Sequence, residues 1–179
     1  MTTYVALLRG INVGGKHSLP MKELVAILES LGCQNVRTYI QSGNAVFQHD
    51  PADAKQLASK VTAAIKKKHG FAPQVLVLDA KQWAKVAKAN PFPAAECEPK
   101  SLHVWFLTEK PAKAGLTALE ALKSKSEQLE LRSTAVYLHA PDGIGRSKLA
   151  ANVERHLGVA ATARNWRTVC AILKIACDQ

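Results

Sequence analysis

Val36-Arg-Thr-Tyr-Ile-Gln-Ser-Gly-Asn-Ala-Val-Phe-Gln48 is the stretch on which the fold turns. It reads as two short strands, 36–41 and 44–48, around a tight hairpin turn at Ser42-Gly43, residues that accept the backbone such a reversal needs. Upstream lies a helix. Pro20 opens it, Leu24, Ile27, Leu28 and Leu31 recur at i, i+3, i+4 and i+7, and Gly32 stops it. Before that helix, the apolar run Tyr4–Leu8 reads as a strand. Downstream, Asp53 and Gln56 have capping-box spacing, and Leu57, Val61, Ala64 and Ile65 share a helical face. Lys66, Lys67, Lys68 and Gly70 suit that helix's C-terminus, and Val75–Leu78 reads as a fourth strand. The order is β-α-β-β-α-β, which is ferredoxin-like.

The order then recurs. Asp79 and Gln82 cap a connecting helix that Asn90-Pro-Phe-Pro93 ends. A strand at 102–107, a helix at 115–123 and strands at 127–132 and 135–139 around Ser133-Thr134 follow. After them come a helix at 147–157 closed by Gly158, an extended piece at 159–163 and a last helix from Trp166. The expected fold is therefore α+β, with two ferredoxin-like repeats each followed by an extra helix. The expected division is 1–89, a linker at 90–101, and 102–179. Element order alone carries the duplication, since no residue-level repeat is visible. The first strands of both repeats, Val5-Ala-Leu-Leu8 and Val104-Trp-Phe-Leu107, are continuously apolar, so each is expected to be covered on both faces.

Composition narrows the classes. The chain has 179 residues, 47% of them apolar, and no run near the ~18 apolar residues of a membrane span. Met1-Thr-Thr-Tyr4 lacks the basic start of a signal peptide. Cys33, Cys97, Cys170 and Cys177 are widely spaced and fit reduced, mostly buried thiols, which predicts a cytoplasmic protein. The formal charge is +10, spread as +5, +3 and +2 over 1–70, 71–125 and 126–179. A spread surplus favours anionic partners in general and marks no nucleic-acid groove. The six histidines show no ligand spacing, so no metal site is expected, and no cofactor motif is evident. No catalytic set is assignable, and the third strand lacks the paired aromatics on which an RNA-binding sheet stacks bases.

Four polar clusters remain. Gly10-Ile-Asn-Val-Gly-Gly-Lys16 matches G-x-x-x-x-G-K after a strand, but His17 stands where a nucleotide-binding loop needs Ser or Thr, and Pro20 delays the helix. Its plain structural reading is a glycine turn; the alternative is a backbone cradle for an anion. In the ferredoxin-like order this loop and the turn 41–44 leave the sheet at one edge. Arg9, Asn12, Gly14, Gly15, Lys16, Gln41, Ser42 and Asn44 are therefore expected to form one anion-binding surface. Replacing Asn12 and Ser42 by alanine is expected to remove binding with little loss of stability. Secondary candidates open two helices: Arg146, Ser147 and Lys148, with Ser147 as cap, and Arg164 and Asn165, with Asn165 as cap.

Together, Leu7-Leu-Arg-Gly-Ile-Asn-Val-Gly-Gly15 with Met21, Thr38-Tyr-Ile-Gln-Ser-Gly-Asn44 with Phe47, Asn90-Pro-Phe92, Tyr137, Gly143 to Leu149 and Thr162-Ala-Arg-Asn-Trp-Arg-Thr168 resemble a bacterial family known as domain of unknown function 1697. The resemblance implies the duplicated ferredoxin-like fold and no assigned activity. The function expected from the residues is binding of a small anionic ligand, phosphate-bearing compounds included. The alternatives are a nucleic-acid-associated basic module and a protein-interaction module.

Overall fold

In the computed structural model, which describes residues 1–179, strand β1 (Thr2–Arg9) leads into helix α1 (Met21–Ser30). Strands β2 (Gln34–Tyr39) and β3 (Asn44–His49), helix α2 (Ala54–His69), strand β4 (Gln74–Asp79) and helix α3 (Ala80–Lys88) follow. A 3-10 helix at Pro93–Cys97 precedes β5 (Leu102–Leu107), α4 (Lys113–Glu120), β6 (Gln128–Arg132) and β7 (Ala135–His139). A 3-10 turn at Ile144–Arg146, helix α5 (Lys148–Leu157), strand β8 (Ala161–Asn165) and helix α6 (Trp166–Cys177) complete the chain. The protein is thus mixed α+β, with two four-stranded antiparallel sheets and six α-helices. The sheets run β2-β3-β1-β4 and β6-β7-β5-β8. β1 lies between β3 and β4, antiparallel to both, so β1 and β2 are not neighbours.

Local chemistry places the helices. Asp53 Oδ1 accepts the Gln56 N–H at 2.8 Å, and Asp79 and Gln82 bond reciprocally at 2.7 and 3.1 Å. Gly70 and Gly158 end α2 and α5 in the left-handed conformation, which spares them the Cβ penalty. Tyr4, Ala6 and Leu8 of β1 pack with Leu24, Ile27 and Leu28 of α1 and Leu57, Val61 and Ile65 of α2. Their neighbours Val5 and Leu7, on the other face, are also buried. In the second sheet Trp105 and Leu107 pack with Leu119 of α4 and Leu149, Val153 and Leu157 of α5, while Val104 and Phe106 are buried behind them. Both central strands are therefore covered on both faces. Burial leaves Tyr137 able to reach only protein for its hydroxyl, which donates to Val86 O at 2.6 Å.

The structure departs from the sequence reading in several places. The turn between β2 and β3 spans four residues, 40–43, because β2 ends at Tyr39, whose carbonyl takes the Asn44 side chain at 2.9 Å. The extended piece is a true strand, β8, hydrogen-bonded along β5 from His103–Asn165 to Leu107–Ala161. The expected linker carries the 3-10 helix, since Pro93 favours a first helical turn. Of the four free thiols only Cys33 is buried, and burial pushes it up to about 11; Cys97, Cys170 and Cys177 are exposed. The chain divides into two compact units, Met1–Lys85 with Ala171–Gln179, and Val86–Cys170. The sequence reading kept the C-terminal helix with the second repeat; its last residues group with the first unit, where Gln179 Nε2 donates to Asn35 O at 2.7 Å. No helix is long and apolar enough to cross a membrane.

Candidate functional site

The glycines of the first loop make a turn. Lys16 N–H donates to Val13 O at 3.0 Å across Gly14 and Gly15, whose φ values are +58° and +73°. Two successive left-handed residues are the requirement of a type I′ reversal, and glycine meets it without strain. Asn12 N–H donates to His17 O at 3.1 Å and continues the small ladder. His17 Nδ1 sits 2.9 Å from Gly10 O, and its ring stacks on Phe71 with centroids 4.7 Å apart. A carbonyl can only accept, so Nδ1 carries the proton. Helix α1 starts five residues beyond Lys16, so the lysine is not in its first turn and the loop is not a nucleotide-binding cradle.

Asn12 ties this finger to the turn 40–43. Its Nδ2 donates to Leu19 O at 2.9 Å and to Gln41 O at 2.8 Å, and its Oδ1 accepts Leu19 N–H at 2.8 Å. The two loops do converge, but Asn12 is used up in joining them. Asn44 is fully buried and donates to Tyr39 O and to Ser42 Oγ. Arg9 donates to Gln74 Oε1 at 3.1 Å, while Lys16 and Gln41 are exposed. Asn12 thus shapes the loops, contrary to the expectation that it is a spare donor. Asn12→Ala should lower stability by roughly 2–3 kcal/mol, at about 1 kcal/mol per net hydrogen bond lost. Equilibrium urea unfolding checks this.

The second unit holds a cleft of about 400 Å³, lined by Arg146, Ser147 and Lys148 together with Glu127 and Asp142. Ser147 Oγ caps α5 by accepting Ala150 N–H at 2.9 Å, and Ser147 O accepts Ala151 N–H at 3.2 Å. The N–H groups of Lys148 and Leu149 lie ahead of them in the first turn and have no intrahelical acceptor. Arg146 and Lys148 are exposed. Glu127 is only 6% exposed, and its Oε2 accepts Ser124 N–H at 2.8 Å. Asp142 Oδ2 accepts the Ser126 hydroxyl. The sequence reading passed over both carboxylates. Ser124-x-x-Glu127 has the spacing of a cap, which was the available signal for Glu127; Asp142 had none.

Arg164 and Asn165 do not join this cleft. Asn165 Oδ1 caps α6 through Thr168 N–H at 2.9 Å. Arg164 donates to Ala163 O at 2.8 Å, and burial pulls its guanidinium down to about 10, still charged at neutral pH.

No curated protein matches the chain. A solved structure described as that of the conserved bacterial protein SP0830 from Streptococcus pneumoniae is similar to it, with a TM-score of 0.78 and 25% identity over 98% of both chains. The family model for the protein of unknown function DUF1697 matches residues 1–137, which takes in the finger, the turn 40–43 and Glu127 but stops short of Arg146–Lys148. With more than half of its length matched, this chain belongs to the DUF1697 family.

Proposed function

We propose that this chain binds a small anionic ligand, of phosphate or carboxylate type, in the cleft at the start of α5. One observation carries the reading: Arg146, Ser147 and Lys148 line a single cleft beside first-turn N–H groups of a ten-residue helix. A helix N-terminus with two nearby cations suits an anion by charge and by hydrogen-bond direction. Inorganic phosphate should raise the melting temperature of the wild-type protein, and the double variant Arg146→Gln, Lys148→Gln should lose most of that rise. An unchanged melting temperature across phosphate, sulfate and acetate would overturn the reading.

The likeness of the two strand orders, β2-β3-β1-β4 and β6-β7-β5-β8, supports a ferredoxin-like plan used twice. Four free thiols support a cytoplasmic setting.

A second reading, a protein-interaction surface, is favoured by the first unit. Val13 and Ile40 are 69% and 51% exposed and sit on the two loops that Asn12 joins. Ile40 also has φ +51°, a left-handed backbone that a β-branched residue holds at a cost of roughly 1–2 kcal/mol. Ile40→Asn should therefore leave the fold as stable as wild type or more so, as measured by thermal unfolding. A clear loss would mean that the side chain serves the fold.

A further inference from the structure

We propose that the tips of loop 10–17 and turn 40–43 dock on an acidic protein surface that carries apolar sockets. This rests on the protein-interaction reading of the first unit and names the chemistry of its partner.

Along the sequence the basic surplus is spread, but the fold collects it. β1 and β2 end, and β3 and β4 begin, at the end of the sheet where these loops lie. α1 starts and α2 finishes at that same end. Glu23, in the first turn of α1, meets Lys68 Nζ at 3.1 Å, and the His17 ring stacks on Phe71 just beyond α2. Arg9, Lys16, Lys22, Lys66, Lys67 and Lys68 therefore share one pole of the unit. Of the carboxylates in residues 1–79, only Glu23 joins them; Glu29, Asp50, Asp53 and Asp79 lie toward the opposite end. Lys16, Lys22, Lys66 and Lys67 are exposed and form no ion pair.

The apolar tips stand at this cationic pole. Apart from Met1, Val13 and Ile40 are the exposed large apolar side chains of the chain. Both loops are braced: Asn12 bonds to Leu19 and to Gln41 O, and Leu8 N–H holds Gly43 O at 2.7 Å. Two aliphatic knobs on braced loops suit preformed sockets, because little freedom is lost when they dock. A lipid bilayer has no sockets and needs no such bracing. A nucleic-acid backbone would engage the lysines and leave both aliphatic tips without an apolar partner. Charge supplies the rest. A partner with carboxylates around its sockets is steered to this pole, and a basic one is repelled.

The test titrates the isotope-labelled full chain with synthetic peptides, repeats of Glu-Glu-Leu-Leu, of Glu-Glu-Ser-Ser and of Lys-Lys-Leu-Leu, and follows backbone amides by NMR. The Glu-Leu peptide should shift the amides of Val13, Lys16, Ile40, Lys66 and Lys67. It should bind about tenfold more tightly than the other two and weaken as salt rises. Val13→Ser combined with Ile40→Asn should reduce it to the level of the Glu-Ser peptide. Lys66→Gln combined with Lys67→Gln should weaken it and flatten its salt dependence. Equal binding of the Lys-Leu peptide at these loops would overturn the acidic partner and leave an interaction surface standing. Equal binding of the Glu-Ser peptide would overturn the role of the apolar tips. Tighter binding of a DNA duplex or of phosphatidylglycerol vesicles at the same amides would overturn the protein partner. No shift with any peptide would overturn both this proposal and the protein-interaction reading.

Discussion

Gly115→Ala should lower the stability of the second unit by about 3 kcal/mol, although the residue lies in a helix where alanine is the better helix former. Propensity alone would favour the change by about 1 kcal/mol. Space decides the sign. A Cβ at Gly115 would lie 2.1 Å from His156 O and 2.9 Å from His156 C, both backbone atoms of α5. No rotamer change relieves that overlap, so α4 and α5 must separate by about an ångström. The separation opens the core in which Leu119 of α4 meets Leu149, Val153 and Leu157 of α5. Dense interiors resist such shifts, and forced overpacking costs typically 1–3 kcal/mol and occasionally more. Differential scanning calorimetry should show a fall of roughly 6–12 °C, taking about 2–4 °C per kcal/mol at this chain length. An unchanged or higher melting temperature would mean that α4 can slide away freely.

Gly43→Ala should be nearly as damaging, and comparison with Gly14→Ala isolates the reason. Both glycines have positive φ, +80° at Gly43 and +58° at Gly14, so both variants incur a left-handed penalty of about 1 kcal/mol. Gly14 faces open space. At Gly43 an added Cβ would meet Leu8 Cβ and Ile11 Cδ1, each at 2.7 Å. Ile11 can rotate its tip, but Leu8 Cβ is fixed to β1, whose Leu8 N–H also donates to Gly43 O at 2.7 Å. Gly43→Ala should therefore cost about 2–4 kcal/mol against about 1 kcal/mol for Gly14→Ala. Urea unfolding of the two variants side by side gives the difference directly, and equal losses would leave the packing contact without effect. The larger loss should also loosen the turn 40–43, and with it the Asn12–Gln41 bond at the base of the finger.

Much of this molecule is legible from its residues, and the legible part has a common cause. The caps at Asp53, Asp79, Ser147 and Asn165 act within three residues of themselves. The stops at Gly70 and Gly158 act within one turn. The doubly covered strands β1 and β5 declare themselves by unbroken apolar runs, and the convergence of loop 10–17 with turn 40–43 follows from strand order. What the sequence could not decide lies between residues far apart. Gly115 looks like a weak helix residue until the backbone of His156 stands against it. Asn12 looks like a spare donor until Leu19 and Gln41 take its amide. Ala161–Asn165 is short, with Arg164 and Asn165 at its end, and becomes a strand only because β5 offers it partners. The cap spacing of Ser124 and Glu127 is local, but only tertiary packing sets that carboxylate in one cleft with Asp142, Arg146 and Lys148. Capping, turn and periodicity preferences act over a few bonds and are written in the order of residues. Burial, close approach and charge juxtaposition depend on distances across the fold, which no local pattern contains.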